Sequence, residues 1–108
     1  MDFTLDGQPY TALNAGPGFR FTEAISLSVS CADQQEVDYY WAALSAGGQE
    51  GPCGWLKDRF GLSWQVVPRE LEELLGHEDR ARAGRAMAAM MRMGKLDLAA
   101  LRAAAEQA

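Results

Sequence analysis

Residues 24–48 read AISLSVSCADQQEVDYYWAALSAGG, and the fold turns on where the period changes inside this run. Over residues 22–31 apolar and small residues alternate. Ile25, Leu27 and Val29 fall on one face; Ala24, Ser26, Ser28 and Ser30 fall on the other. A period of two is that of a strand, whose side chains point to opposite faces in turn. From Asp33 onward the period is helical. Asp33 can cap a helix, with Glu36 three residues on. Val37, Tyr40, Trp41 and Leu44 then fall at i, i+3, i+4 and i+7, one apolar stripe. Gly47-Gly48 offers the left-handed backbone on which helices end. The run is therefore a strand followed by an amphipathic helix.

The next stretch, GPCGWLKDRFGLSWQVVP at 51–68, returns to strand spacing. CGWLK and LSWQVVP can pair around Asp58-Arg59-Phe60-Gly61. Trp64 and Val66 share one face of the second strand; Ser63, Gln65 and Val67 share the other. Pro68 suits a strand end. The helix stripe needs an apolar partner, and Ile25, Leu27, Val29, Trp64 and Val66 supply one. That packing leaves Ser26, Ser28, Ser63 and Gln65 on the opposite, concave side of a curved sheet, where a ligand would sit.

On the amino-terminal side, residues 2–14 give two short strands around a turn at Asp6-Gly7. This hairpin faintly echoes the one at 55–67. After Pro68 the composition shifts to Ala, Leu, Met, Glu and Arg without strand signals. Three short helices are expected at about 69–75, 79–93 and 98–106, with Gly76 and Gly94 at the ends of the first two and Asp97 capping the third. Met87, Met90, Met91 and Met93 read as a core or dimer stripe.

Bulk properties bound the function. The 108 residues suffice for one domain with a modest core. The formal net charge of −5 disfavours nucleic acid and anionic membrane as partners. No run is apolar and long enough to span a bilayer, and residues 1–14 lack the basic start and apolar core of a secretory leader. Cys31 and Cys53 form no disulfide framework and read as two small buried thiols of a reduced, cytoplasmic protein. With one histidine, His77, placed in the helical tail, no Ser-His-Asp or Cys-His site can be assembled. Cys53, between Gly51 and Gly54, has no neighbouring His or helix N-terminus to activate it and reads as inert. Glu72-Glu73 and Glu78-Asp79 read as solvated helix faces, and Asp58 and Arg59 as a solvated turn. Trp64 reads as packing, whereas Trp55 suits packing or a ligand.

The run at 19–68, FRFTEAISLSVSCADQQEVDYYWAALSAGGQEGPCGWLKDRFGLSWQVVP, resembles the second half of a PhnB-like protein of the vicinal oxygen chelate (glyoxalase/bleomycin-resistance) superfamily. Such proteins are often labelled demethylubiquinone 3-methyltransferase-like. LDGQPYTALNAGP at 5–17 is similar to the end of the family's first half, and RARAGRAMAAMMRMGKLDLAALRAAA at 80–105 to its C-terminal extension. CGWLKDRFGLSWQVVP is the most specific part.

The resemblance implies an α+β fold of βαβββ modules whose curved sheets enclose a cleft. It divides the chain into a remnant hairpin of a first module (1–14), a second module (22–68) and a helical extension (69–108), forming one structural domain. It also implies that the beginning of the first module is missing, so that the chain is a fragment or pairs with a second copy.

Metal-using relatives place two His and one or two Glu on the first and last strands of the modules. Here Ala24 stands at the His position, or Glu23 if the register slips by one, and Gln65 at the usual Glu position. No metal and no cofactor are expected. Methyl transfer is not expected either, because no Gly-rich strand-to-helix turn is present to cradle a nucleotide cofactor.

The residues placed at a ligand are Ser26, Ser28, Ser63, Gln65, Trp55 and Asn14. The expected protein is a small-molecule-binding homodimer. Its rivals are a metal-dependent lyase or dioxygenase-like enzyme with its site completed by a partner chain, and a structural remnant without ligand.

Overall fold

The computed structural model describes residues 1–107; the last residue of the expected helical extension, 108, lies outside them. A hairpin comes first, β1 (Asp2–Leu5) and β2 (Gln8–Thr11), paired antiparallel. Its turn residues Asp6 and Gly7 both have positive φ, 50° and 79°. That is the two-residue geometry whose twist matches the flanking strands.

The centre is one βαβββ unit. β3 (Ser26–Cys31) leads into α1 (Gln34–Ser45), and β4 (Gln49–Glu50), β5 (Trp55–Lys57) and β6 (Ser63–Pro68) follow. The sheet order is β3-β6-β5-β4, with β3 and β6 parallel and the other pairs antiparallel. α1 thus crosses from one edge of the sheet to the other, covering a single face.

The capping expectation holds. The Asp33 carboxylate accepts the Glu36 N–H at 2.9 Å, and Glu36 reaches back to the Ala32 N–H at 2.7 Å. At the far end Gly47 has φ +75° and turns the chain into β4. Val37 and Trp41 pack with Cys31, Leu56 and Val66, flanked by Val29, Leu44 and Trp64. This is the apolar face on which the helix stripe was expected.

Two details of the expected core differ. The strand begins at Ser26, not at residue 22, and Ile25 is 63% exposed. The cause is the partner strand: the β3–β6 ladder starts at Ser26↔Ser63, so residues before Ser26 have nothing to pair with. Cys31 takes the core position instead, and burial pushes its thiol pKa up. Cys53 is only half-buried, not a buried thiol. It holds φ 58° at the entry to β5, with its sulfur 3.8 Å from that of Met91.

The tail folds as α2 (Glu70–Leu75), α3 (Arg80–Met90) and α4 (Leu98–Glu106). Asp79 caps α3 through the N–H groups of Ala81 and Arg82, and Asp97 caps α4 through that of Ala100. The middle helix stops at Met90 rather than at Gly94. The carbonyls of Met93 and Gly94 instead accept the N–H groups of Cys53 and Gly54 at 2.7 and 2.8 Å. The tail is stitched to the sheet there, while after Met90 the helix has already tightened: the Arg92 and Met93 N–H groups bond to carbonyls three residues back, on Ala89 and Met90.

Leu71, Leu96 and Leu101 form a second core with Val67, Met90 and Met93. Met87 and Met91 face solvent, so the methionines divide between core and surface. Among the described residues no helix is long and apolar enough to cross a membrane.

Candidate functional site

The face of the sheet away from α1 is defined by register. Cross-strand partners point the same way. Ser26 lies opposite Ser63, and Ser63 opposite Lys57; Ser28 lies opposite Gln65, and Gln65 opposite Trp55. Two rows therefore run across the face, Ser26–Ser63–Lys57 and Ser28–Gln65–Trp55. Five of the six residues expected at a ligand share this face, but they divide between two clefts: Trp55 and Ser63 line one, Ser26 and Ser28 the other, and Gln65 lines neither. Asn14 is not on this face: it sits exposed in the linker after β2 and lines neither of the two principal clefts.

Within the rows the polar groups differ in what they hold. The Gln65 side-chain amide donates to the Ser26 hydroxyl at 3.0 Å. Ser63 is 1% exposed, and its hydroxyl has no hydrogen-bond partner among the described residues. A buried hydroxyl without a partner costs about 1–3 kcal/mol, so it is a group waiting for one. It lines a cleft of about 540 Å³ whose walls include Trp55, Pro52 and Cys53.

Two charged residues complete this cleft. The Lys57 ammonium forms an ion pair with Glu23, which lies in the turn just ahead of β3. The hydrogen bond from Lys57 holds the Glu23 carboxyl below the usual carboxylate range. Since Lys57 and Ser26 flank Ser63 on its two sides, this bridge passes across the Ser63 position. Sequence reading did not single out Lys57. The signal was present: once the hairpin closes at Asp58–Leu62, Lys57 must sit opposite Ser63.

Asp58 is also more than a solvated turn residue. It accepts the N–H groups of Phe60 and Leu62 at 2.9 and 3.1 Å and the Trp64 indole N–H at 3.0 Å. It thereby fixes the hairpin register that places Lys57 and Trp55. Trp64 is a packing residue, as expected from its parity.

The donor set does not fit a divalent cation of the kind metal-using relatives hold. Gln65 offers only a neutral amide oxygen, a weaker donor to a cation than a carboxylate, and Ala24 offers no ligand atom. Glu23 is engaged by Lys57. His77 is exposed in the tail, where its Nδ1 accepts the Asp79 N–H. Among the described residues no three His, Cys, Asp or Glu side chains come together as a metal site.

A second, larger cleft of about 790 Å³ lies between the β1–β2 hairpin, the free edge of β3 and α1. Its walls include Leu5, Tyr10, Leu27, Tyr40 and Trp64.

Comparison with known proteins agrees with this architecture. A family model described as 3-demethylubiquinone-9 3-methyltransferase matches residues 1–67. Among solved structures, a PhnB protein from Bacillus cereus, provisionally named a 3-demethylubiquinone-9 3-methyltransferase, is 32% identical with a TM-score of 0.55. The alignment covers 62% of this chain and 61% of that one, so the chain spans about three fifths of its neighbour's length. No curated protein matches. The family match over residues 1–67 and the βαβββ order of the sheet show that the chain belongs to the PhnB-like, 3-demethylubiquinone-9 3-methyltransferase-like family, with the module fold of the vicinal oxygen chelate proteins.

Proposed function

We propose that this protein binds a small molecule on the face of the sheet opposite α1, without a metal, and that it works as a homodimer. The observation that carries the binding site is the buried Ser63 hydroxyl, unpartnered and lining a cleft walled by Trp55. Pockets for small ligands combine an apolar wall with a few placed polar groups, and Trp55 and Pro52 with Ser63 and Lys57 are such a set, with Gln65 and Ser26 in the neighbouring rows of the same face. The metal-free reading rests on the donor chemistry. By the resemblance, Gln65 stands where metal-using relatives carry a carboxylate, and Ala24, or Glu23 one residue earlier, where they carry an imidazole.

Methyl transfer, which the family's description names, is not part of the proposal. The strand-to-helix junctions of the module are Ala32-Asp33 and Arg69, and neither contains the glycines that let a helix N-terminus approach a nucleotide cofactor.

The test is elemental analysis of the purified protein after dialysis against divalent cations, followed by a small-molecule screen read by heteronuclear NMR. Substoichiometric metal, together with hits that shift Trp55 and Gln65, is the expected result. For such a hit, Gln65→Ala should weaken binding by more than the roughly 1 kcal/mol that loss of its bond to Ser26 costs the fold. Near-stoichiometric metal would sink the metal-free reading and favour an enzyme.

A further inference from the structure

We infer that the Lys57 cleft takes a small carboxylate with an apolar body, and that Glu23 occupies the carboxylate's place until the ligand displaces it. The inference rests on the proposed binding role of this face and adds the ligand's chemical class.

Four observations lead to it. First, Lys57 is the one cation lining the cleft among the described residues, and its partner is a carboxylate from a turn outside the sheet. Second, the Lys57 and Glu23 side chains are 41% and 61% exposed. Exposed pairs of this kind are weak, so the exchange of one carboxylate for another has little to overcome.

Third, the buried Ser63 hydroxyl lies in the same cross-strand row as Lys57 and lacks a partner. A carboxylate has two oxygens with room for several hydrogen bonds. Glu23 pairs with Lys57 but makes no hydrogen bond to Ser63. A ligand carboxylate could hold Lys57 and take the Ser63 O–H as well. Fourth, Trp55 and Pro52 wall the cleft beside Lys57. They suit a flat or aliphatic body attached to that anion.

The other acid on the lining, Glu50, does not compete for Lys57. Its carboxylate accepts the Trp41 indole N–H at 2.9 Å on the helix side of the sheet.

The experiment titrates the protein with 3-phenylpropionate and, in parallel, with the neutral 3-phenylpropionamide. Binding is followed through the Trp55 indole N–H resonance, assigned with Trp55→Phe. Both Glu23 and Lys57 are surface residues, so their variants should keep the fold, which the remaining amide spectrum reports.

Removing the built-in competitor with Glu23→Gln should tighten the carboxylate about threefold, the size of an exposed ion pair. Removing the cation with Lys57→Gln should weaken it about threefold, again the size of an exposed ion pair. The amide should respond to neither change. Equal binding of amide and carboxylate in every variant would overturn the inference while leaving a small-molecule site in place. Unchanged or weaker carboxylate binding to Glu23→Gln would overturn it too. If neither probe shifts Trp55 in any variant at millimolar concentration, both the inference and the binding role of the cleft fall.

Discussion

Asp58 shows how much one side chain can organise. It sits at the corner between β5 and β6 and accepts three hydrogen bonds, two from backbone N–H groups and one from the Trp64 indole. Gly61, at φ +88°, completes the turn by donating its N–H to the Asp58 carbonyl. Losing Asp58 therefore orphans three donors around a partly buried corner. Asp58→Ala should cost about 2–3 kcal/mol, because each donor left without a partner is penalised. Asp58→Asn keeps one acceptor oxygen for the backbone but offers the indole an NH2 group. It should cost about 1 kcal/mol, the loss of a single bond. Urea unfolding followed by tryptophan fluorescence measures both. Equal costs for the two variants would mean that the carboxylate does not bridge turn and indole. The same corner sets Lys57 opposite Ser63, so fold and candidate site depend on one residue here.

Among the elements, the join between module and tail rests on a residue that no periodicity singles out. Gln34, in the first turn of α1, donates its amide N–H to the Leu96 carbonyl at 2.9 Å. It accepts the Leu98 N–H at 2.7 Å. One side chain thus closes both bonds of the segment leading into α4. Gln34→Ala should destabilise the protein by about 2 kcal/mol, the sum of two side-chain to backbone bonds. It should also speed hydrogen exchange in α4 more than in β6. Exchange that rises evenly across the chain would count against a local clamp.

Contacts of this type explain what the sequence could and could not convey. Alternation over 22–31 and the stripe at Val37, Tyr40, Trp41 and Leu44 revealed the strand, the helix and the face between them, because burial imposes a period, although Ile25 and Tyr40 lie outside the core. Capping by Asp33 and Asp97 was legible for the same reason, since its chemistry is local. The start of β3 was not, because it depends on where β6 begins. The end of α3 was not, because residues 91–93 tighten into i→i−3 turns as the chain swings over to Cys53 and Gly54, a contact far away in sequence. Of the site, parity exposed Ser26, Ser28, Ser63 and Gln65. The Glu23–Lys57 bridge needed a register across two strands, and Asn14 had no pattern to anchor it.

The whole molecule measures 54 × 26 × 22 Å, with a radius of gyration of 15.9 Å. A compact chain of this length would have about 13 Å. The excess comes from the β1–β2 hairpin and the linker after it, every residue of which is exposed. Phe3 and Tyr10 stack on each other at 5.7 Å, but both are open to solvent. Phe19, Phe21 and Ile25 are exposed along the approach to β3, and β3 is itself an edge of the four-stranded sheet. A bare strand edge beside exposed aromatic residues is a surface that proteins ordinarily cover. The proposed homodimer would cover it with a second copy in a two-fold arrangement. Light scattering at tens of micromolar should then give twice the chain mass, and dilution should shift it downward. Ile25→Lys places a charge at the start of the free edge, where a strand partner would meet it. That variant should move the equilibrium toward monomer while leaving the core of Val37, Trp41 and Val66 intact, since Ile25 takes no part in that core. A wild-type chain that stays folded and monomeric at these concentrations would overturn the homodimer. A dimer indifferent to Ile25→Lys would move the interface away from β3, toward the exposed Met87 and Met91 on the tail.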